Sequence, residues 1–160
     1  MGRWSNHPMG SDAALDARDT FMGRFDLKTN LGDEICYFER PKEEIRDALL
    51  ALTLDELKEM ADKDLVCDDK YVIPYTFIEY EAYPTDPAIK KYLYGCLDEH
   101  YSADFEEGIQ HIKLFKKNFD DIISGKKILT EDLGLMATIA TKMNGEPEPN
   151  YCTLIDNENN

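Results

Sequence analysis

Residues 105–123, FEEGIQHIKLFKKNFDDII, form the longest helical pattern in the chain and decide its fold class. Apolar side chains recur there every three or four residues, at Phe105, Ile109, Ile112, Phe115, Phe119, Ile122 and Ile123. Because this spacing follows the turn of an α-helix, it predicts one long amphipathic helix over 103–124. Ser102 is placed to cap the start of this helix, and Gly125 is placed to end it in the left-handed conformation.

Other helices are expected on both sides of this one, because helix start signals recur along the chain. They are expected to begin at Ser11 or Asp12, at Pro41, at Thr53, at Asp86 and at Thr130. Thr53 and Glu56 form a T-x-x-E capping box, which is the most specific of these signals. In the last helix, which Gly145 ends, we expect four side chains to face inward: Leu133, Met136, Ala137 and Ala140.

Residues 71–78 are ambiguous between strand and helix. Their Tyr, Val, Ile and Thr content favours a strand, but Pro74 cannot donate to a central ladder, so we favour a helix over 75–82. The sequence therefore predicts a mainly α fold, a compact bundle of about five to six helices, with a short β element near 35–38 or 71–78 as the alternative. We expect one acidic helical domain over 1–145 and a polar tail over 146–160, ordered at best around Tyr151 to Ile155.

Charge gives the strongest indication of function. The chain of 160 residues carries 33 acidic and 18 basic side chains, a formal net charge of -15. Such an excess disfavours direct binding to nucleic acid or to anionic membranes and favours a basic partner. The chain also lacks an apolar run long enough to span a membrane, and its start lacks the apolar core of a secretory signal.

The cysteines indicate the compartment. Cys36, Cys67, Cys96 and Cys152 lie far apart and form no CxxC pair, which is poor spacing for a metal site. Free thiols in a reducing compartment are the simplest interpretation, so we expect a cytoplasmic protein.

A partner surface is predicted where tyrosines and acidic residues concentrate. Tyrosine is enriched at interface hot spots because it joins a large apolar body to a polar tip. The candidate partner-binding residues are Tyr75, Tyr80, Tyr83, Asp98, Glu99, Asp104, Glu106 and Glu107. The alternative is that these tyrosines form a core wall and these acids a solvated face.

Catalytic and metal sites find little support in the residue pattern. Asp12, Asp16 and Asp19 share one helical stripe, and Glu107 and His111 are four residues apart. Either group could supply ligands to a cation, but acidic residues in a first helical turn are expected from the helix dipole alone. We predict no catalytic residue, no metal ligand and no cofactor.

The start of the chain carries a resemblance. Met1-Gly2-x-Trp4, followed by Ser11-Asp12-x-Ala14-Leu15-Asp16, resembles the opening of a family of small bacterial and phage proteins of unknown function. Ser5 stands where that family has a glycine. The resemblance implies a helical domain in which Trp4 packs on the first helix and Asp12 caps it, and it implies no mechanism.

These observations lead to a functional expectation. The chain is expected to be a small acidic protein-binding module that inhibits or antagonises a basic partner, as toxin antagonists and phage-encoded inhibitors of host defence do. The alternatives are a metal-assisted hydrolase that uses Asp12 and Asp16 or Glu107 and His111, and a structural subunit of a homo-oligomer.

Overall fold

The computed structural model describes residues 2–29, 40–65, 69–98 and 106–158. Helices dominate these residues, which confirms the predicted mainly α fold class. The elements are α1 (Asp12–Thr29), α2 (Lys42–Leu50), α3 (Leu54–Asp64), α4 (Val72–Glu79), α5 (Pro87–Asp98), α6 (Glu106–Lys117), α7 (Phe119–Ile123), β1 (Lys127–Leu129), α8 (Leu135–Met143) and β2 (Leu154–Asp156). None of the helices within these ranges is long and apolar enough to cross a membrane.

The chain divides into two compact units. The terminal unit comprises Met1–Leu15 and Ser102–Asn160, and the central unit comprises Asp16–Tyr101. Helix α1 begins in the terminal unit and continues into the central unit. The single domain expected over 1–145 stays a prediction.

The central unit contains α2 to α5, and its best-defined helix start is the one predicted from sequence. The Glu56 backbone N–H donates to Thr53 Oγ1 at 3.1 Å, and the Thr53 backbone N–H donates to Glu56 Oε1 at 3.3 Å. Both bonds of the capping box are therefore present at the start of α3, which confirms the prediction.

Replacement of Thr53 by alanine is expected to lower the free energy of unfolding by about 1 kcal/mol, because an orphan N–H of α3 loses its acceptor. Urea denaturation followed by circular dichroism would measure this change. Thr85→Ala is a matched control, since Thr85 is also exposed but lies outside the helices. Equal stabilities for the two variants would show that the capping box contributes nothing.

Helix α4 settles the ambiguity over residues 71–78, where the alternative β element is wrong. Pro74 lies in the first turn of α4, where a backbone N–H has no intrahelical acceptor, so its missing donor costs nothing. The remaining residues of that turn are apolar and buried, and α4 packs against α5. Burial of a whole apolar turn thus outweighs the strand preference of its residues. The other candidate β element, at 35–38, lies outside the described residues.

In the terminal unit, the prediction of one long helix over 103–124 is wrong at Asn118, which separates α6 from α7. The Asn118 side chain donates through Nδ2 to the carbonyl of Leu114 at 3.1 Å, and its backbone leaves the helical region. Asparagine commonly competes with the helix in this way, so α6 and α7 are separate helices. Gly125 ends α7 with φ of 79°, as predicted. Ser102 lies outside the described residues.

Strands β1 and β2 form an antiparallel pair that the sequence did not predict. Lys127 pairs with Asp156, and Leu129 pairs with Leu154. Thr130 was expected to cap the last helix, and that prediction is wrong, because its N–H and Oγ1 both donate to the carbonyl of Thr153 at 3.0 Å. Of the tail residues near Tyr151 to Ile155, Leu154 and Ile155 belong to this pair.

Candidate interaction surface

Helix α8 has an apolar side and a polar side. Leu135, Met136, Ile139 and Met143 fall within an arc of about 100° around the helix axis, since successive residues turn by about 100°. Thr138, Thr141 and Lys142 fall outside this arc, and Lys142 lies next to Leu135 at its edge. An amphipathic helix normally turns its apolar arc toward the core.

In α8 the apolar arc does not face a core, and the predicted inward residues are wrong. Leu133, Met136, Ala137 and Ala140 are all exposed. Met136 and Met143 expose 76% and 81% of their surface, whereas Thr138 is 1% exposed and is the one buried residue of the helix. We refer to Leu135, Met136, Ile139 and Met143 as the α8 face.

Polar contacts explain this orientation. Lys142 Nζ donates to the carbonyl of Trp4 at 3.3 Å, and Thr138 Oγ1 donates to the carbonyl of Gly134 at 2.7 Å. Before the helix, Asp132 Oδ1 accepts from the backbone N–H of Gly134 at 3.3 Å. The Thr138 and Asp132 bonds order the start of α8, and the Lys142 bond ties the helix to the chain at Trp4.

Asp132 and Lys142 both contact the N-terminal segment, which comprises residues 2–10. Ser5 Oγ donates to Asp132 Oδ1 at 3.3 Å, and the carbonyl of Trp4 receives Lys142. A tight loop holds this segment, since the N–H of Gly10 donates to the carbonyl of His7 at 2.8 Å. A Cβ at Gly10 would collide with the Ser5 side chain, so this loop requires glycine.

Two buried histidines meet here: His7 belongs to the N-terminal segment, and His111 lies on α6. The rings of His7 and His111 lie 4.5 Å apart between centroids, and the ring of Tyr151 lies 5.4 Å from that of His7. His7 Nδ1 accepts from the backbone N–H of Met9 at 3.0 Å, so the neutral ring carries its proton on Nε2. His111 Nε2 faces the carbonyl of Thr130 at 3.4 Å. We call His7, His111 and Tyr151 the histidine cluster.

Burial keeps the histidine cluster uncharged. Burial lowers the pKa of His111 to about 4, against a weaker opposing effect of the Thr130 carbonyl. Burial lowers the pKa of His7 well below its ordinary value; His111, when protonated, and Arg3 lower it further, against an opposing effect of the Thr130 carbonyl. Burial also raises the pKa of Tyr151, which the Thr138 hydroxyl partly offsets. Near neutral pH the cluster is therefore a neutral, structural contact.

Carboxylates flank the α8 face at both ends of its helix. Glu131 is exposed shortly before α8 begins, and Glu146 and Glu148 are exposed shortly after it ends. Glu148 Oε1 accepts from the backbone N–H of Asn6 at 3.2 Å, which fixes its position beside the N-terminal segment. An apolar face on a chain with acidic residues just before and after its helix suits a partner that is apolar at its centre and basic at its rim.

The partner-binding residues predicted from sequence fall in different settings. Tyr75 is 4% exposed and its ring lies edge-on to that of Tyr71, so it is not available to a partner. Tyr80 and Tyr83 are half-buried.

The acidic residues among the predicted partner-binding residues are more exposed to solvent than the tyrosines. Asp98 in the central unit and Glu106 and Glu107 in the terminal unit are exposed. Glu99 and Asp104 lie outside the described residues. The exposed members remain candidates for electrostatic contact with a basic partner, and the α8 face was missed altogether.

The hydrolase alternative named two separate pairs, Asp12 with Asp16 or Glu107 with His111, and the members of the second pair lie in different environments. His111 is fully buried and faces His7 and Thr130, whereas Glu107 on the same helix is exposed. Across the described ranges, no group of three or more His, Cys, Asp or Glu side chains could hold a metal ion. Asp12 and Asp16 are exposed on α1, and Ser11 Oγ, rather than Asp12, accepts from the first turn, at Ala14 N–H.

Comparison of the chain with protein-family models, with curated proteins and with solved structures found no match. The resemblance of the first sixteen residues therefore stays a prediction.

Proposed function

We propose that this protein is a small acidic binding module that captures a basic protein partner through the α8 face. The observation that carries this proposal is the outward apolar arc of α8, which leaves Met136 and Met143 almost fully exposed. Exposed apolar patches of this kind mark interaction sites when polar residues surround them.

The composition of the α8 face supports a binding role. Two methionines and two branched aliphatic side chains form it. Methionine is flexible and polarisable, and it adapts its shape to an apolar partner surface. The bond from Lys142 to the carbonyl of Trp4 holds the helix in place, so the face needs little rearrangement before it binds.

Charge decides which partner fits. With a net charge of -15, two copies of this chain would bring like charges together on contact, which disfavours self-association through this face. A partner with lysine or arginine around an apolar groove would instead pair with Glu131, Glu146 and Glu148. An inhibitor or antagonist role is part of this proposal, because a module bound over a basic surface blocks that surface.

The test is a pull-down from a lysate of the source organism with the tagged full chain, at low and at high salt. We expect a basic protein that is retained at low salt and weakened at high salt, because salt screens rim charges. The double variant Met136→Ser/Met143→Ser should lose at least a factor of about 10 in affinity, because it removes the centre of the apolar contact.

Leu50→Ser is the matched control, since Leu50 is an exposed apolar residue on α2 in the other unit. It should bind the partner as the unchanged chain does. The proposal fails if no basic protein is recovered, or if the double variant and the Leu50 variant bind equally well.

A further inference from the structure

The methionines of the described residues fall into two sharply different settings. Met9, Met22 and Met60 are buried. Met136 and Met143 are the most exposed of the large apolar side chains, and they lie seven residues apart on the α8 face. An oxidant in solution therefore reaches Met136 and Met143 and is kept from the other three.

The thiols of the described residues compete poorly for the same oxidant. Cys96 is buried. Burial raises the pKa of the Cys152 thiol, and the charge of Glu107 raises it further, so little of the reactive thiolate forms. The Cys152 Sγ also donates to the carbonyl of Glu107 at 3.3 Å. The exposed thioethers are thus the accessible sulfur groups of this surface.

We propose that Met136 and Met143 form an oxidation site that switches off partner binding, an inference that rests on the proposed function. The oxidant is a peroxide. The thioether sulfur attacks one peroxide oxygen, an S–O bond forms and the O–O bond breaks. Sulfur is oxidised by two electrons to the sulfoxide, and hydrogen peroxide is reduced to water.

The consequence follows from the place of both sulfurs on the α8 face. A sulfoxide is polar and chiral, so each oxidation puts a strong hydrogen-bond acceptor at the centre of an apolar contact. Docking would then bury an acceptor without a donor, which is unfavourable. Met136 and Met143 are largely exposed, and the bonds of Thr138 and Lys142 involve neither sulfur, so the fold of the helix does not depend on them.

The first experiment needs no partner. The folded full chain is treated with limiting hydrogen peroxide, and peptide mapping by mass spectrometry locates the added oxygen atoms. We expect one oxygen on Met136 and one on Met143 before any on Met9, Met22 or Met60. Retention of the chain on a hydrophobic-interaction column should fall at the rate at which Met136 and Met143 are oxidised.

Two variants separate oxidation from damage. Met136→Leu/Met143→Leu keeps the face apolar without an exposed sulfur, so peroxide should leave its retention unchanged. Met136→Gln/Met143→Gln imitates the polarity of the sulfoxide and should reproduce the low retention without peroxide. Earlier oxidation of the buried methionines, or unchanged retention of the oxidised chain, would overturn the inference.

The second experiment uses the basic partner recovered in the pull-down. Oxidised chain should bind it at least about tenfold more weakly, as expected when the centre of an interface is disrupted, and the leucine variant should bind equally with and without peroxide. If the unchanged chain binds and the oxidised chain binds equally well, the oxidation switch is wrong and the proposed function stands. If no basic partner binds at all, the proposed function fails and the switch fails with it.

Discussion

Acidification from pH 6.5 to about 4 is expected to reduce the free energy of unfolding by about 3 kcal/mol through His111 alone. In the unfolded chain this imidazole has its ordinary pKa of about 6.5, whereas in the folded chain burial lowers its pKa to about 4. The unfolded state therefore gains the proton first. The stabilisation is complete above pH 6.5, decreases between pH 6.5 and about 4, and is absent below that range.

His7 should steepen this dependence, because its pKa is also lowered by burial and by the neighbouring charge of His111. Urea denaturation across this pH range would measure the effect. Trp4 is the single tryptophan of the chain and lies in the terminal unit, so its fluorescence reports on the unit that contains both histidines.

The control for this prediction is His111→Gln. Glutamine keeps an N–H donor for the Thr130 carbonyl but does not titrate in this range. The variant should show a shallower loss of stability between pH 6.5 and 4. The same slope in both chains would mean that His111 is already accessible to protons in the folded state.

Two side-chain truncations in the terminal unit should differ greatly in how far they lower the free energy of unfolding. Phe115 is fully buried on α6 and stacks on Phe119 at 5.8 Å between ring centroids. Phe115→Ala should lower the free energy of unfolding by about 3–5 kcal/mol, because it removes a buried ring and leaves a cavity. Met136→Ala should change it by less than about 0.5 kcal/mol, because Met136 is exposed and alanine suits a helix.

Chemical denaturation of the two variants, followed by Trp4 fluorescence, would compare them directly. Both replace a large apolar side chain on a helix of the same unit, so each serves as the control for the other. A cost of about 2 kcal/mol or more for Met136→Ala would show that the α8 face is packed in solution.

Two local signals in the sequence predicted the helix ends that they define, whereas the Thr130 signal did not. The Thr53 capping box and Gly125 act within one turn of chain, so their neighbours in sequence are enough to define them. The apolar stripe of α6 was also readable, because Ile112 and Phe115 lie on one buried arc. Asn118 interrupts that pattern through a single side-chain bond to Leu114, which periodicity does not detect.

The candidate surface was not predictable in the same way. Eight of the nine residues of α8 are apolar or threonine, so periodicity finds the helix but does not say which arc faces inward. That choice depends on bonds from Ser5 to Asp132 and from Lys142 to the carbonyl of Trp4, and in each bond the two partners are far apart in sequence. The pairing of His7 with His111 and the pairing of β1 with β2 are equally non-local.

The most direct test of the account is photo-crosslinking with a benzophenone amino acid placed at position 136 or, as the control, at position 50. Both positions are exposed apolar sites on helices, and they belong to different units. The account predicts that position 136 forms a covalent adduct with the basic partner, that position 50 does not, and that high salt reduces the adduct. Capture of the partner without an adduct at position 136, or with equal adducts at both positions, would contradict the account.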